Sequence, residues 1–395
     1  MTADLSWLGF PSTLVKAVSP TRVNHAAPSR RNRTGPVSAP VCGRLGAHRP
    51  LGRPPVTATT PGLVCVHHHL YSALARGMPA PPKVPTCFQE ILEQIWWRLD
   101  CALDLEMIRW SAMLGALEAL EQGTTAIVDH HESPHAIEGS LEVIAAACAE
   151  VGVRVVCAYG VTDRHGPEGA RRGLEENRYF LEAGGRGLVG VHAAFTCREE
   201  TLEAAAGLAA DLGVGVHIHV AEGEGDVAAA DRLAGLTRDD WLLAHGVHLP
   251  DDHRLRGTVL HNPRSNLNNA VGYADPRRFS QPVALGTDGI GGNMIEEFRL
   301  AYVLHRSVDV TATPDTAWRW LETGWDLVPE AREDRVTWSY EPMDPWHIAF
   351  TPGIRPLRVE VDGEVVFEEG RPTRVDAAEV RTKAKEQAAR LHARL

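Results

Sequence analysis

Lysine is scarce here: only Lys16, Lys83, Lys383 and Lys385 occur in 395 residues. Arginine, alanine and glycine abound instead, the bias of a GC-rich, bacterial genome. A formal net charge of −11 and an isoelectric point near 5.9 exclude the basic surface that nucleic acid or an anionic membrane would demand. No apolar run approaches the ~20 residues of a membrane span. The seven cysteines (Cys42, Cys65, Cys87, Cys101, Cys148, Cys157 and Cys197) contain no C-x-x-C pair, and several lie inside apolar runs. That removes a disulfide framework and a thiolate zinc site, and points to reduced core thiols in a cytoplasmic protein. Gly289, Gly291 and Gly292 do not form a strand-to-helix G-x-G-x-x-G, so they read as a flexible rim loop and not as a phosphate cradle.

Acidic residues are missing from the start of the chain. Residues 1–60 hold one, Asp4, against eight bases (Lys16, Arg22, Arg30, Arg31, Arg33, Arg44, Arg49 and Arg53), with frequent Pro and Ser and no sustained period. An irregular segment is expected there, a flexible tail or a mis-read start; the composition also suits a transit peptide, but no amphipathic helix accompanies it.

From Leu63 short apolar runs alternate with Ala-, Leu- and Glu-rich stretches, the signature of βα units around a parallel sheet. Strands are expected at 63–66, 124–129, 153–158, 187–192, 214–220, 241–245, 258–261 and 282–287. Helices are expected near 106–121, 136–151, 170–182, 199–212 and 293–305. Eight such strands close a (β/α)8 barrel over residues 61–306, whose chemistry collects at the strand C-termini. His67 and His69, His130 and His131, His192, His219, His245, His261 and Asp288 all stand at those ends.

Beyond the barrel the regular alternation stops. Residues 307–374 read as a linker and remnant strands of a small β-sandwich, with Asp362-Gly363 suited to a type I′ hairpin turn. Residues 375–395 read as a helix capped by Asp376, with Glu379 at the capping-box position and Val375 placed to staple against Val380. Val380, Ala384, Ala388, Leu391 and Leu395 form its apolar stripe.

The strand ends carry a metal-ligand pattern. His67 and His69 leave the first strand at alternate positions, so both imidazoles fall on one side and His68 on the other. His219 ends the fifth strand, with Glu222 three residues on, and Asp288 follows the eighth. A hydrolytic metal wants three or four protein ligands and an open position for water. His67, His69 and His219 would supply nitrogens and Asp288 an oxygen. Val189-Gly-Val-His-Ala-Ala-Phe195 holds no lysine, so a carbamylated-lysine bridge between two metals is not expected, and one divalent metal per chain is. The zinc deaminases marked by H-x-E and P-C-x-x-C are a different class.

As a set, the H-x-H strand, His219-Val-Ala-Glu222, Ala244-His245-Gly, His261-Asn-Pro-x-Ser265-Asn266 and Gly286-Thr-Asp288-Gly resemble the amidohydrolase superfamily. The branch they resemble holds the cytosine and guanine deaminase-like and chlorohydrolase-like (ATZ/TRZ) enzymes. Asp129-His-His131-Glu-Ser-Pro134 and Thr162-Asp-Arg164-His-Gly-Pro-Glu168 are similar to the SsnA-type aminohydrolases within it. The resemblance implies zinc or iron on His67, His69, His219 and Asp288, and metal-activated water attacking the carbon of a nitrogen heterocycle. Hydrolytic deamination of a small molecule is the expected reaction, dechlorination its close relative. Asp288 would take the water's proton, Glu222 would pass protons to the ring or leaving amine, and His245 would polarise the substrate or orient the water. His192, Arg164, Asn262 and Asn266 would contact substrate. Members of the family begin with sandwich strands that residues 1–60 do not resemble, so an incomplete accessory sandwich is expected, its open edges covered in a homodimer. The competing reading is a catalytically impaired or non-catalytic barrel with a binding or structural role.

Overall fold

The computed structural model describes residues 57–395. A short strand, β1 (Ala58–Thr60), precedes the barrel. It falls inside the stretch read as irregular, where three residues are too few to show a period. The eight parallel strands then follow in chain order: β2 (Leu63–His68), β3 (Thr124–His131), β4 (Arg154–Tyr159), β5 (Val189–Ala193), β6 (Val216–Val220), β7 (Leu242–His245), β8 (Thr258–His261) and β9 (Val283–Leu285). They form two continuous ladders, β2 to β4 and β5 to β9. Parallel bridges Cys157 to Gly187 and Val161 to Val191 join β4 to β5, and His68 to Asp288 closes the ring.

Side-chain caps start two of the long barrel helices, and glycines end two others. Asp104 accepts from Met107 N at 3.0 Å and starts Leu105–Leu120. Asn293 accepts from Glu296 N at 3.1 Å and starts Met294–Val308. Gly152 at φ 96° and Gly213 at φ 66° end Ser140–Val151 and Glu199–Leu212 in the left-handed region that glycine adopts without strain.

Inside the barrel the inward side chains change character along each strand. Val64, Val66, Ala126, Val128, Leu242, Ala244, Leu260 and Ala284 fill the lower end, sealed by Val328 and Ala331. Above them the same strands present imidazoles. Alternation keeps His217 and His219 inside while Val216, Ile218 and Val220 pack outward among the helices. On β2 a register irregularity between Cys65 and His68 lets His67 follow inward Val66 into the interior, and His68 turns outward toward Gly115 of Leu105–Leu120.

The expected remnant strands are β10 (Arg335–Trp338), β11 (Pro356–Val361) and β12 (Glu364–Glu368), and a two-residue strand, β13 (Arg371–Pro372), adds to them. With β1 they make one antiparallel layer in the order β1-β10-β11-β12-β13. Asp362 at φ 53° and Gly363 at φ 79° form the hairpin turn. The inner face, Val336, Trp338, Val359, Val361 and Val366, belongs to the same apolar cluster as the barrel helices. The closing helix Ala377–His392 is capped by Asp376, which accepts from Ala378 N and Glu379 N. Its buried Val380, Ala384 and Leu391 join that cluster, and Arg390 and Arg394 pair with Asp104 across the interface.

Candidate active site and metal centre

Nitrogen and oxygen atoms of His67, His69, His219 and Asp288 lie within 4.8 Å of one another. His69 Nε2 is 2.9 Å and His67 Nε2 3.5 Å from Asp288 Oδ1, and the Nε2 atoms of His69 and His219 are 3.2 Å apart. Each imidazole is fixed from behind. His69 Nδ1 donates to the His130 carbonyl and His219 Nδ1 to the His192 carbonyl, both at 2.6 Å. His67 Nδ1 lies 2.8 Å from His217 Nε2. Such partners set the tautomer and leave Nε2 facing the centre, the arrangement of a metal-ligating histidine.

The donor set fits a divalent cation. Burial holds His67 and His219 well below the ordinary imidazole value, hence neutral with a lone pair available, and His67 Nε2 is buried with no hydrogen-bond partner. At His69 burial acts in the same direction, but the Asp288 carboxylate outweighs it and lifts the group to about 9. Burial pushes the Asp288 carboxyl up, yet its close contacts with the His67 and His69 imidazoles prevail and hold it well below the usual carboxylate range. The centre therefore stabilises positive charge. Three nitrogens and one carboxylate oxygen, with one side open to a cavity, suit zinc or another divalent ion. The cluster itself supports a divalent metal here.

A second group, Glu222, His245 and Asp288, shares the rim. Glu222 Oε2 is 3.5 Å from His245 Nε2, and Glu222 Oε1 accepts from Asn269 Nδ2 at 3.4 Å. Burial raises the Glu222 carboxyl above its ordinary value. His245 is anchored by Nδ1 on Asn266 Oδ1 at 2.8 Å, and its Nε2 has no hydrogen-bond partner. Three non-glycine residues of this rim take positive φ, Ala221 (46°), His245 (76°) and Asp288 (56°). That strain turns each chain sharply off its strand and into the mouth.

The other expected site residues fall into two places. His192 lines the cavity, its Nδ1 on Thr196 Oγ1 at 2.7 Å and its Nε2 3.6 Å from Glu132 Oε1. Arg164 stands behind that wall, paired with Asp100 and Glu132. Asn262 and Asn266 are fully buried off the cavity: Asn262 donates to the Leu260 carbonyl at 3.1 Å, and Asn266 holds His245. His131 bonds Ser133 Oγ at 2.9 Å.

Several neighbours were not singled out from the sequence. His217 could have been, since it leaves β6 at the same alternate spacing as His219. Ser265, whose Oγ donates to Asp288 Oδ2, sits in a motif already quoted. Asp100, Trp97 and Asn269 carry no sequence signal, because they reach the cavity from connections whose path the periodicity does not define.

The family profile of the amidohydrolases matches residues 58–323. The chain belongs to the amidohydrolase family. Among curated relatives, a 5′-deoxyadenosine deaminase of Methanopyrus kandleri is 34% identical over 284 residues, 64% of this chain and 63% of that protein. This chain thus spans slightly less than two thirds of that relative's length. A 5-methylthioadenosine/S-adenosylhomocysteine deaminase of Symbiobacterium thermophilum is 30% identical over 386 residues, 84% of this chain and 86% of that protein. Among solved amidohydrolase folds, an adenosine deaminase from Xanthomonas campestris with bound zinc superposes with a TM-score of 0.72 at 22% identity, covering 85% of this chain and 86% of that one. The zinc complex of atrazine chlorohydrolase TrzN from Arthrobacter aurescens gives 0.71 at 21%, covering 84% and 88%. The fold expected from the motifs is the one found.

Proposed function

We propose that this chain is a zinc-dependent aminohydrolase that removes the exocyclic amine of a purine-type heterocycle, most simply an adenosine-like nucleoside, as ammonia. The observation that carries the reading is the convergence of His67, His69, His219 and Asp288 on one point, with Glu222 and His245 on its open rim. The deaminase names of the curated relatives support the substrate class. The unpaired state of all six described cysteines agrees with a reducing, cytoplasmic setting.

Zinc held by the four ligands would supply Lewis acidity, making water acidic enough to lose a proton near neutrality. Asp288 takes that proton, its Oδ2 steadied by Ser265. Glu222, whose carboxyl burial shifts toward its protonated form, donates to the ring nitrogen and later passes a proton to the departing amine. His245 donates through Nδ1 to Asn266 and so presents Nε2 as an acceptor that orients the attacking water. The new C–O bond forms as the ring C=N π bond opens onto the protonated nitrogen; the exocyclic C–N bond then breaks, and ammonia leaves with the relayed proton. The non-catalytic reading has less behind it, since each position of the site carries a group able to perform its step.

The test is metal analysis with an ammonia-release screen of purines, pyrimidines and triazines. About one zinc per chain is expected, lost in His219→Ala. A wild-type protein that binds no transition metal would end the proposal.

A further inference from the structure

One wall of the cavity takes no part in the proton steps. Arg164 divides its guanidinium between Asp100 Oδ2 at 2.9 Å and Glu132 Oε2 at 2.5 Å, and lies 4.6 Å from the centroid of the Trp97 ring. One cation thus serves two carboxylates that are 1% and 4% exposed. Asp100 Oδ1 and Trp97 Nε1 are buried and without a hydrogen-bond partner, and both residues line the cavity. Leaving a buried polar atom unmatched is costly; at Asp100 Oδ1 a ligand bearing a donor would relieve that cost, whereas the Trp97 Nε1–H, itself a donor, asks for an acceptor.

The charge around this wall is one-sided. Glu222, Asp226 and Asp288 also line the cavity, and among the described residues no lysine or arginine does. A phosphate or carboxylate pressed against Asp100 would meet like charge, and the guanidinium that could have received it is already engaged.

We propose that Asp100 and Glu132, positioned by Arg164 and roofed by Trp97, form a specificity subsite for a cationic amino, amidino or guanidino group of the substrate and reject anionic ends. This deepens the aminohydrolase reading and rests on it only for the cavity being the substrate site. Asp100 Oδ1 accepts the first donor. Glu132 Oε1, 3.6 Å from His192 Nε2, accepts the second. The flat part of the group stacks beside Trp97.

The experiment is calorimetric titration of zinc-loaded, full-length protein with benzamidine and with benzamide, its neutral counterpart. Benzamidine should bind at least about tenfold more tightly, as charge-assisted bonds to carboxylates require. That preference should shrink to within about twofold in Asp100→Asn and in Glu132→Gln, variants that keep the side-chain shape and remove the ionisable carboxyl. Equal binding of the two probes to the wild type overturns the proposal without needing any variant, and so does a preference that survives in both. A parallel arm measures ammonia release from 5′-amino-5′-deoxyadenosine and from adenosine 5′-monophosphate, with the amine expected to react far better. Carboxylate-dependent benzamidine binding without ammonia release from either nucleoside would support the subsite and overturn the reaction.

Discussion

Replacing Glu222 by glutamine separates its chemistry from its structure. The carboxyl touches two groups, Asn269 at 3.4 Å and His245 at 3.5 Å, and an amide of the same shape can keep the first contact. Stability should therefore change by less than about 1 kcal/mol, since one hydrogen-bond partner is kept and a buried ionisable group is removed. Glutamine cannot carry a proton from water to ring nitrogen to leaving amine. Positioned acid–base groups contribute about 10²- to 10⁴-fold, so kcat should fall by that factor, about 3–5 kcal/mol on the barrier. The four atoms of the candidate metal centre are untouched, so zinc content should stay at about one per chain. The assay is ammonia release from an adenosine-like nucleoside, with metal analysis and thermal melting on the same preparation. Turnover within about threefold of wild type would refute the proton role, because no general acid–base contribution is that small. Loss of zinc would move Glu222 into the ligand set, which its membership of the Glu222, His245 and Asp288 cluster makes a concrete competing outcome.

Four further perturbations follow from the same geometry. Ser265→Ala removes the hydroxyl donated to Asp288 Oδ2 and should lower kcat about tenfold, the loss of one hydrogen bond to a charged group, at unchanged zinc content; unchanged kcat would refute it. Gly286→Ala would set a Cβ 2.8 Å from His67 Cβ and 2.5 Å from Asn262 Oδ1; it should cost about 1–3 kcal/mol by overpacking, read by urea unfolding, and weaken zinc retention through His67. Trp338→Ala, at a side chain 1% exposed between the small sheet and the barrel helices, should cost about 3–5 kcal/mol, and a melting temperature unchanged from wild type would sink that packing argument. Burial pushes the Asp226 carboxyl up to about 7, against an ordinary value of ~3.9. Its protonated form favours the fold, so its contribution is full below about pH 4, falls as pH rises toward about 7 and is flat above. The stability difference between Asp226→Asn and wild type should therefore grow across that window, and a pH-independent difference would count against the buried-acid account.

The barrel was legible because its strands are apolar on both faces and stop at polar, ligand-type residues, so each β run announces its own C-terminal end. His67, His69, His219 and Asp288 come together in space for that reason: the sequence places them at strand ends, and ring closure through His68 and Asp288 does the rest. Strand starts were less legible, with Val189 and Val216 beginning two residues later than expected, because apolar character continues into the turn. The cavity's far wall was legible only in part: His192 and Arg164 were expected there, Asp100 and Trp97 were not. Asp100 and Trp97 lie in Trp97–Ala102, a short helix on a long connection after β2, and their approach to Arg164 depends on a pairing between residues 64 apart in the chain that no local period encodes. The distinction is physical: groups at strand ends are placed by the barrel itself, whereas groups on the connections are placed by loops whose path the strand pattern does not set. In this chain the connections deliver Asp100, Glu132 and the arginine paired with them to the cavity's wall, so the proposed reaction rests on the strand ends and the proposed specificity on the loops.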